Sequence, residues 1–268
     1  MSREKNNVNL FISTKIEVSI AERVTYICQT VQNKDSSIMI LGALLLLAFI
    51  WGSSFILMKI ALFDKSGNPV YSALEVAALR IAIAGIVLLP VTIRHLKKVD
   101  RSKWLSILAI GVFGNMLPAY LFTSAQTEIP SAIAGMLNAL TPLFTMVVAV
   151  IVFKTVISMR QASGLAIGLL GALMLAIGGD FGKLGIENGI EWWACGRVVF
   201  ATLFYGFSVN ILKNKLQDVP SQAIAAIALF FVLPPAAVVL AYSDVSAKLV
   251  NNPHGLNGMV AVVVLAAI

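Results

Sequence analysis

Residues 38–58 read IMILGALLLLAFIWGSSFILM, an apolar run that contains no charged side chain. A transmembrane helix needs about 20 predominantly apolar residues to cross the hydrocarbon core of a bilayer. This stretch therefore predicts a membrane-spanning helix, and it is the first of several such runs in the chain.

Further apolar runs follow, so that the chain is 59% hydrophobic and only 12% charged. Soluble domains carry about 25% charged residues, and a composition this apolar excludes a water-soluble fold. We predict an all-α polytopic membrane protein with seven complete spans, at residues 38–58, 72–93, 104–125, 129–153, 161–178, 192–212 and 221–242. Residues 259–268 start an eighth span, and we expect the chain to be a C-terminally truncated form of a longer protein.

The 20 Lys and Arg residues give the chain a net charge of +7, and their distribution predicts its orientation. Cytoplasmic loops of membrane proteins carry an excess of Lys and Arg. With a cytoplasmic N-terminus, the inner segments hold fourteen of these residues and the outer segments hold four: Lys59, Lys65, Lys183 and Lys248. We therefore predict a multi-pass protein of the cell membrane, specifically a bacterial inner membrane, with its N-terminus in the cytoplasm. We expect no nucleic-acid partner, because the concentration of Lys and Arg in the cytoplasmic segments already accounts for the positive net charge.

Residues 1–37 form a polar N-terminal segment with apolar side chains at helical spacing. These side chains are Ile16, Ile20, Val24, Ile27 and Val31. One interpretation is an amphipathic helix that lies in the membrane interface. The other is a disordered tail, or a start that lies upstream of a true first residue at Met39.

The residue types needed for metal or acid–base chemistry are sparse. Cys28 and Cys195 are single and far apart, so they build neither a disulfide framework nor a zinc site. Within the predicted spans Glu75 is the one acidic residue well inside the apolar region, and no His lies there. An intramembrane enzyme needs a convergent acid–base or metal set. We therefore expect no enzymatic activity, no metal and no cofactor.

A short internal repeat predicts the architecture. Trp51-Gly52-Ser53-Ser54, followed by Lys59, recurs as Tyr205-Gly206-Phe207-Ser208, followed at the same interval by Lys213. The match is short, and chance is the competing explanation. Five spans separate the two copies, however, so the second copy crosses the membrane in the opposite sense. Inverted repeats around a site near the midplane are a transporter architecture.

Several of these stretches resemble the EamA family of the drug/metabolite transporter superfamily. They are Phe49-Ile-Trp-Gly-Ser-Ser-Phe55, Ala78-Leu79-Arg80, Tyr120-Leu-Phe-Thr-Ser-Ala125, Ala139-Leu-Thr-Pro-Leu-Phe-Thr145 and Gln161-x-x-Gly164. The resemblance covers about residues 40–242. It implies ten helices in two inverted five-helix halves and the export or exchange of amino acids, other metabolites or drugs.

The repeat and the resemblance together predict a domain organisation: a polar segment at residues 1–37, a first five-helix repeat at 38–178, and an incomplete second repeat at 190–268. Two departures from the family pattern stand out. Family members often carry an acidic residue at the position of Thr155. The helices equivalent to the last three are absent or only begun.

The fourth span carries a stripe of small and polar residues at helical spacing, Ser131, Gly135, Asn138, Thr141 and Thr145, around Pro142. Polar groups without hydrogen bonds are energetically unfavourable inside a bilayer, so these side chains need water or other polar groups to bond with. One interpretation is the wall of a wet cavity, with Asn138 and Thr141 as solute-binding candidates. The alternative is hydrogen bonding between packed helices.

Arg80 lies about nine residues into the second span, where a fixed cation could neutralise a solute carboxylate. The alternatives are a clamp on backbone carbonyls or an ion pair with Glu75. Glu75 is also the candidate for proton coupling, with a merely interfacial position as the alternative.

The repeat equates Tyr205 and Ser208 with Trp51 and Ser54, and we predict that all four contribute to the walls of a central cavity. Ordinary packing is the alternative for the aromatic rings. Asn115, near Gly111, Gly114 and Pro118, marks a bent or loosely wound third span and is a further cavity candidate. In the sixth span, Arg197 is expected to reach Glu187 or Glu191. In the fifth span, Gly164, Gly168 and Gly171 are expected to allow the close approach of another helix.

The sequence thus predicts a secondary transporter of small organic metabolites, such as amino acids or drug-like amphipaths, that works by alternating access. The alternative is a truncated, transport-inactive fragment or a membrane scaffold protein. The expected partners are a small-molecule solute and the lipid bilayer, and the sequence is compatible with a homodimer.

The orientation can be tested with single cysteines in a variant whose native cysteines are replaced by serine. We expect a cysteine at Gly67 to react with a membrane-impermeant maleimide added outside cells, and one at Lys98 to react only after the membrane is opened. The reverse labelling pattern would place the N-terminus outside.

Overall fold

The computed structural model describes residues 39–178 and 192–267, and within these ranges the chain is helical and contains no β-strand. The helices are α1 (Met39–Leu62), α2 (Ala73–Val87), α3 (Leu89–Leu96), α4 (Trp104–Gly111), α5 (Leu117–Ala125), α6 (Ser131–Asn138), α7 (Thr141–Ile151), α8 (Met159–Gly178), α9 (Trp192–Lys215), α10 (Ser221–Ala241), α11 (Val245–Asn251) and α12 (Gly255–Ala267). The interfacial helix expected within residues 1–37 lies outside the described residues.

Five helical segments of the described ranges are long and apolar enough to cross a membrane: α1, Arg101–Ala125, Ser131–Ile151, α9 and α10. The bent pair α2 and α3 makes a sixth if it counts as one span. Helix α8 occupies the predicted fifth span and, with 20 residues, is about 30 Å long. The prediction of an all-α polytopic membrane protein is confirmed.

The chain divides into two compact units, Met1–Trp51 and Gly52–Ile268. In the first unit, the described residues are the beginning of α1, and nearly all their side chains are exposed. The packing described below belongs to the second unit.

The predicted second span is two helices rather than one. Helix α2 ends at Val87 and α3 begins at Leu89, and the two axes differ in direction by 60°. Pro90 lies in the first turn of α3, where its missing N–H and its ring are tolerated, whereas the same ring would clash inside a continuous helix. The proline therefore ends α2 and sets the bend.

The third span is interrupted as the sequence predicts. Residues Val112–Met116 form a π-helical segment, which we call the π segment, between α4 and α5. Pro118 lacks the N–H that would bond to the carbonyl of Gly114, so the α-helical ladder cannot continue unchanged. Phe113 of the π segment stacks on Phe204 of α9, with ring centroids 5.5 Å apart.

The fourth span, predicted over residues 129–153, is observed as Ser131–Ile151 with a short interruption inside it. Helix α6 ends at Asn138 and α7 begins at Thr141. Pro142 lies in the first turn of α7, so the break has the same cause as the bend after α2.

The second unit is organised around two central helices. Helix α9 packs against α5 and α7, and helix α10 packs against α2, α3 and α4. The α7–α9 contact is close: a Cβ atom on Gly206 would lie 2.9 Å from the backbone of Phe144. One turn further along α9, the Asn210 side-chain amide donates a hydrogen bond to the backbone carbonyl of Thr145 at 2.8 Å.

Segments predicted on the same side of the membrane meet in the structure. At the predicted inner side, Lys103 forms an ion pair with Asp218. At the predicted outer side, Lys248 pairs with Glu75 at 2.7 Å, and the Tyr71 hydroxyl donates to the carbonyl of Gly255 at 3.0 Å. These contacts agree with the predicted alternation of sides, while the cytoplasmic position of the N-terminus stays a prediction.

Two further details differ from expectation. Helix α12 begins at Gly255 rather than at residue 259, and the short helix α11 precedes it. In α8, no described atom lies within 4 Å of a Cβ built on Gly164, Gly168 or Gly171. The close helix contact expected there is therefore not made by the residues that the structure describes.

The α7–α9 contact predicts a difference between two glycines of the same helix. Gly206→Ala is expected to lower the free energy of unfolding by about 1–3 kcal/mol, because the added carbon meets backbone that cannot move aside. Thermal unfolding of the purified protein in detergent measures this change.

Gly196→Ala is the matched control. Its Cβ would meet nothing within 4 Å, so the same substitution is expected to be neutral or slightly stabilising. Equal losses in the two variants would contradict the close approach of α7 to α9.

Candidate functional site

A cavity of about 340 Å³ lies inside the second unit, between α2, the π segment, α9, α10 and α12. We call it the central cavity. The residues that matter most for its chemistry are Arg80, Ala84, Asn115, Tyr205, Leu229 and Leu265. Three of them, Arg80, Asn115 and Tyr205, are cavity candidates that the sequence predicts.

The central cavity lies near the middle of the spans that form it. Arg80 follows the cap residue Ser72 by eight residues, which is about 12 Å along the helix axis. Asn115 precedes the end of α5, and Tyr205 precedes the end of α9, by ten residues or about 15 Å each.

Arg80 is half-buried and lines the cavity. Among the described residues its guanidinium group makes no hydrogen bond and no ion pair. Neither structural alternative considered for it, a carbonyl clamp or a pair with Glu75, is formed there. The guanidinium group therefore presents its donors to the cavity.

Asn115 and Tyr205 add neutral polar groups to the same wall. Asn115 lies in the π segment, and the ring of Tyr205 stacks near Phe122 with a centroid separation of 6.0 Å. Within the described part of the chain, neither the Asn115 amide nor the Tyr205 hydroxyl is hydrogen-bonded. Both groups are available to a bound molecule.

The polar stripe of the fourth span makes hydrogen bonds both within the span and to neighbouring helices. The Ser131 hydroxyl donates to the Phe55 carbonyl at 3.1 Å, and the Thr141 hydroxyl donates to the Asn138 side-chain oxygen at 3.1 Å. The Thr145 carbonyl accepts from Asn210 of α9. The structure thus ties Asn138 and Thr141 into local hydrogen bonds and does not place them on the central cavity.

The remaining predicted wall residues occupy other environments. Ser208 is buried against the π segment, where a Cβ on Gly114 would lie 2.4 Å from its hydroxyl oxygen. Ser54 is half-buried in α1, and neither serine lines the central cavity. Trp51 ends the first unit and is 55% exposed.

Glu75, the candidate for proton coupling, is held by several partners. Its carboxylate is 2.7 and 2.8 Å from the Lys248 ammonium group, and it also accepts from the backbone N–H of Ser72. Ser72 in turn caps the Glu75 backbone, which completes a capping box at the start of α2. The sequence does not predict Lys248 as the partner of Glu75, because the two residues are 173 positions apart along the chain.

Arg197 shows what a satisfied arginine within a span looks like in this protein. It pairs with Glu128 and donates to the Ser124 carbonyl at 3.0 Å. Its two expected partners, Glu187 and Glu191, lie outside the described residues. Its environment therefore contrasts with that of Arg80.

Comparison with known families finds one matching domain. A family model described as the EamA-like transporter family matches residues 38–177, which is about half of the chain.

Individual relatives are transporters. The chain is 25% identical to the S-adenosylmethionine/S-adenosylhomocysteine transporter of Chlamydia muridarum (strain MoPn / Nigg) over 206 residues, which is 74% of this chain and 61% of that protein. It is 32% identical to the uncharacterized inner membrane transporter YedA of Escherichia coli (strain K12) over 164 residues, which is 59% of this chain and 51% of YedA. The chain thus spans about half to two thirds of the length of these relatives.

The Glu75–Lys248 contact predicts energetic coupling between two distant residues. Lys248→Gln leaves a buried carboxylate unpaired, so we expect it to lower the free energy of unfolding by about 1–3 kcal/mol. In the double variant Glu75→Gln/Lys248→Gln the loss is expected to be smaller than the sum of the two single losses.

Lys65→Gln, at an exposed loop position, is the control and should be near neutral. Thermal unfolding of the unaltered protein and of all four variants gives the comparison. Strictly additive losses would show that the two charges do not stabilise each other.

Proposed function

This chain belongs to the EamA-like transporter family, and from that premise we propose that it is a secondary transporter of small organic metabolites that works by alternating access. The relatives named above are transporters, and five helical segments of the described ranges are long and apolar enough to cross a membrane. We propose that it exports its solute or exchanges it for another. We also propose that it lies in a bacterial inner membrane, as YedA does, with its N-terminus in the cytoplasm.

The observation that carries this proposal is the central cavity. It lies at mid-depth among spanning helices and combines an arginine, an amide and a phenol with apolar side chains. Ligand sites are mostly apolar and contain a few convergent polar groups, with volumes of about 300–1,000 Å³. At about 340 Å³ the central cavity suits a small molecule.

The interruptions in the helices support movement around this cavity. Leu88, at the bend between α2 and α3, lines it, and so do Gly114 and Asn115 of the π segment. Helix breaks of this kind are positions where backbone direction can change while the flanking helices stay rigid. Alternating access needs such positions beside the bound solute.

The names of the relatives suggest where to begin a search for the solute. S-adenosylmethionine and S-adenosylhomocysteine are the solutes in the name of the Chlamydia muridarum protein, and they belong in the first set to be tested, with amino acids and other small metabolites. We propose that the driving force is a gradient of solute or protons, or exchange of one solute for another.

Blocking the central cavity should stop transport without unfolding the protein. Ala84→Phe places a ring into the cavity, and we expect it to reduce solute flux by about tenfold or more, because the solute and the ring compete for one volume. Flux of radiolabelled solutes is measured in proteoliposomes that contain equal amounts of protein.

Ile86→Phe is the matched control on the same helix, since Ile86 is 62% exposed and does not line the cavity. Flux that survives Ala84→Phe would show that solutes take another route. An absence of flux for every solute in the unaltered protein would support the alternative of a transport-inactive membrane protein.

A further inference from the structure

We propose that the transported solute carries a carboxylate, and that this carboxylate is held in the central cavity by the guanidinium group of Arg80. The proposal rests on the proposed transport function and names the solute class for the same cavity. It starts from the guanidinium charge of Arg80, which has no hydrogen-bond or ion-pair partner among the residues that the structure describes.

An arginine is always ionised at physiological pH, so its charge cannot be removed by losing a proton. A charge within a membrane span is costly and is normally paired or faces water. Arg197 follows this rule through Glu128 and the Ser124 carbonyl. Arg80 has no such partner among the described residues, although it is half-buried at mid-depth.

Three acidic side chains in the described outer part of the second unit have partners other than Arg80. Glu75 is held by Lys248, and Glu128 by Arg197. Asp64 accepts from Asn68 and Ser66 in its own loop, and the side-chain hydrogen bond from Asn68 is the main reason that the pKa of Asp64 lies below its ordinary value. No carboxylate appears among the residues that line the central cavity in the described ranges. No described residue places a negative charge opposite Arg80, and we assign that charge to the occupant.

The number and type of polar groups narrow the occupant further. One guanidinium group balances one negative charge, which favours a carboxylate over a dianionic phosphate, and its fork of donors matches both carboxylate oxygens. Asn115 and Tyr205 add neutral donors, and Ile81, Leu229 and Leu265 provide apolar surface. The complementary solute is a small monocarboxylate, or an amino acid, with an apolar or aromatic body.

The test compares solutes that differ only at the carboxylate. The full chain is reconstituted in proteoliposomes and assayed with L-leucine, L-phenylalanine, S-adenosylhomocysteine and phenylacetate, each beside its carboxamide, and with benzylamine as a cationic solute. We expect the unaltered protein to take up one or more of the acids with a KM about tenfold or more below that of the matching amide.

Variants at Arg80 connect this preference to the guanidinium group. Arg80→Gln should remove the preference for acid over amide, and Arg80→Lys should retain part of it, because the charge stays while the fork is lost. Arg94→Gln, at an exposed position in α3, is the matched control and should behave like the unaltered protein. Thermal unfolding of each variant shows whether it is folded.

The possible results separate the two proposals. Uptake of amides or benzylamine as efficient as that of the acids, or an acid preference that survives in folded Arg80→Gln, would overturn the role of Arg80 and leave transport intact. If Arg80→Gln does not fold, the acid–amide comparison in the unaltered protein decides the solute class by itself. A lack of uptake of every solute would overturn the transport proposal and this inference with it.

Discussion

Lipid hydrocarbon offers no hydrogen bonds, and this constraint governs how the chain can fold. Every backbone N–H and C=O group at membrane depth must be satisfied within the protein, so spanning segments become helices. A break in a helix is tolerated where it is covered by protein or lines a cavity. The bend at Leu88 and the π segment both meet this condition, because both lie on the central cavity.

The same scarcity of solvent partners explains how the polar side chains are distributed. Thr145 and Asn210 join α7 to α9, and Glu75 joins α2 to Lys248. In the described part of the chain, some polar groups of the interior have no hydrogen bond of this kind. Arg80, Asn115 and Tyr205 are such groups, and they lie together in one cavity. We propose that their role is to bind a solute.

The sequence predicts much of this arrangement where the signal is local. Apolar runs predict the helices, and the residues around Asn115 predict the irregular third span. Pro142 marks the short interruption of the fourth span, whereas the signal of Pro90 for a bend is obscured because the apolar run continues past it. Contacts between distant residues have no local signal, so the Glu75–Lys248 pair and the hydrogen bond from Ser131 to the Phe55 carbonyl could be seen only in three dimensions.

The Glu75–Lys248 pair also has a consequence for how the protein is made. The two residues are 173 positions apart, and at about 5–20 residues per second a ribosome needs roughly 10–35 s to add that length of chain. During this interval the Glu75 carboxylate of α2 has no Lys248 ammonium group to pair with, because Lys248 has not yet been synthesised. The start of α2 therefore reaches its final environment only after α11 has been synthesised, and the early helices depend on the late ones to complete their assembly.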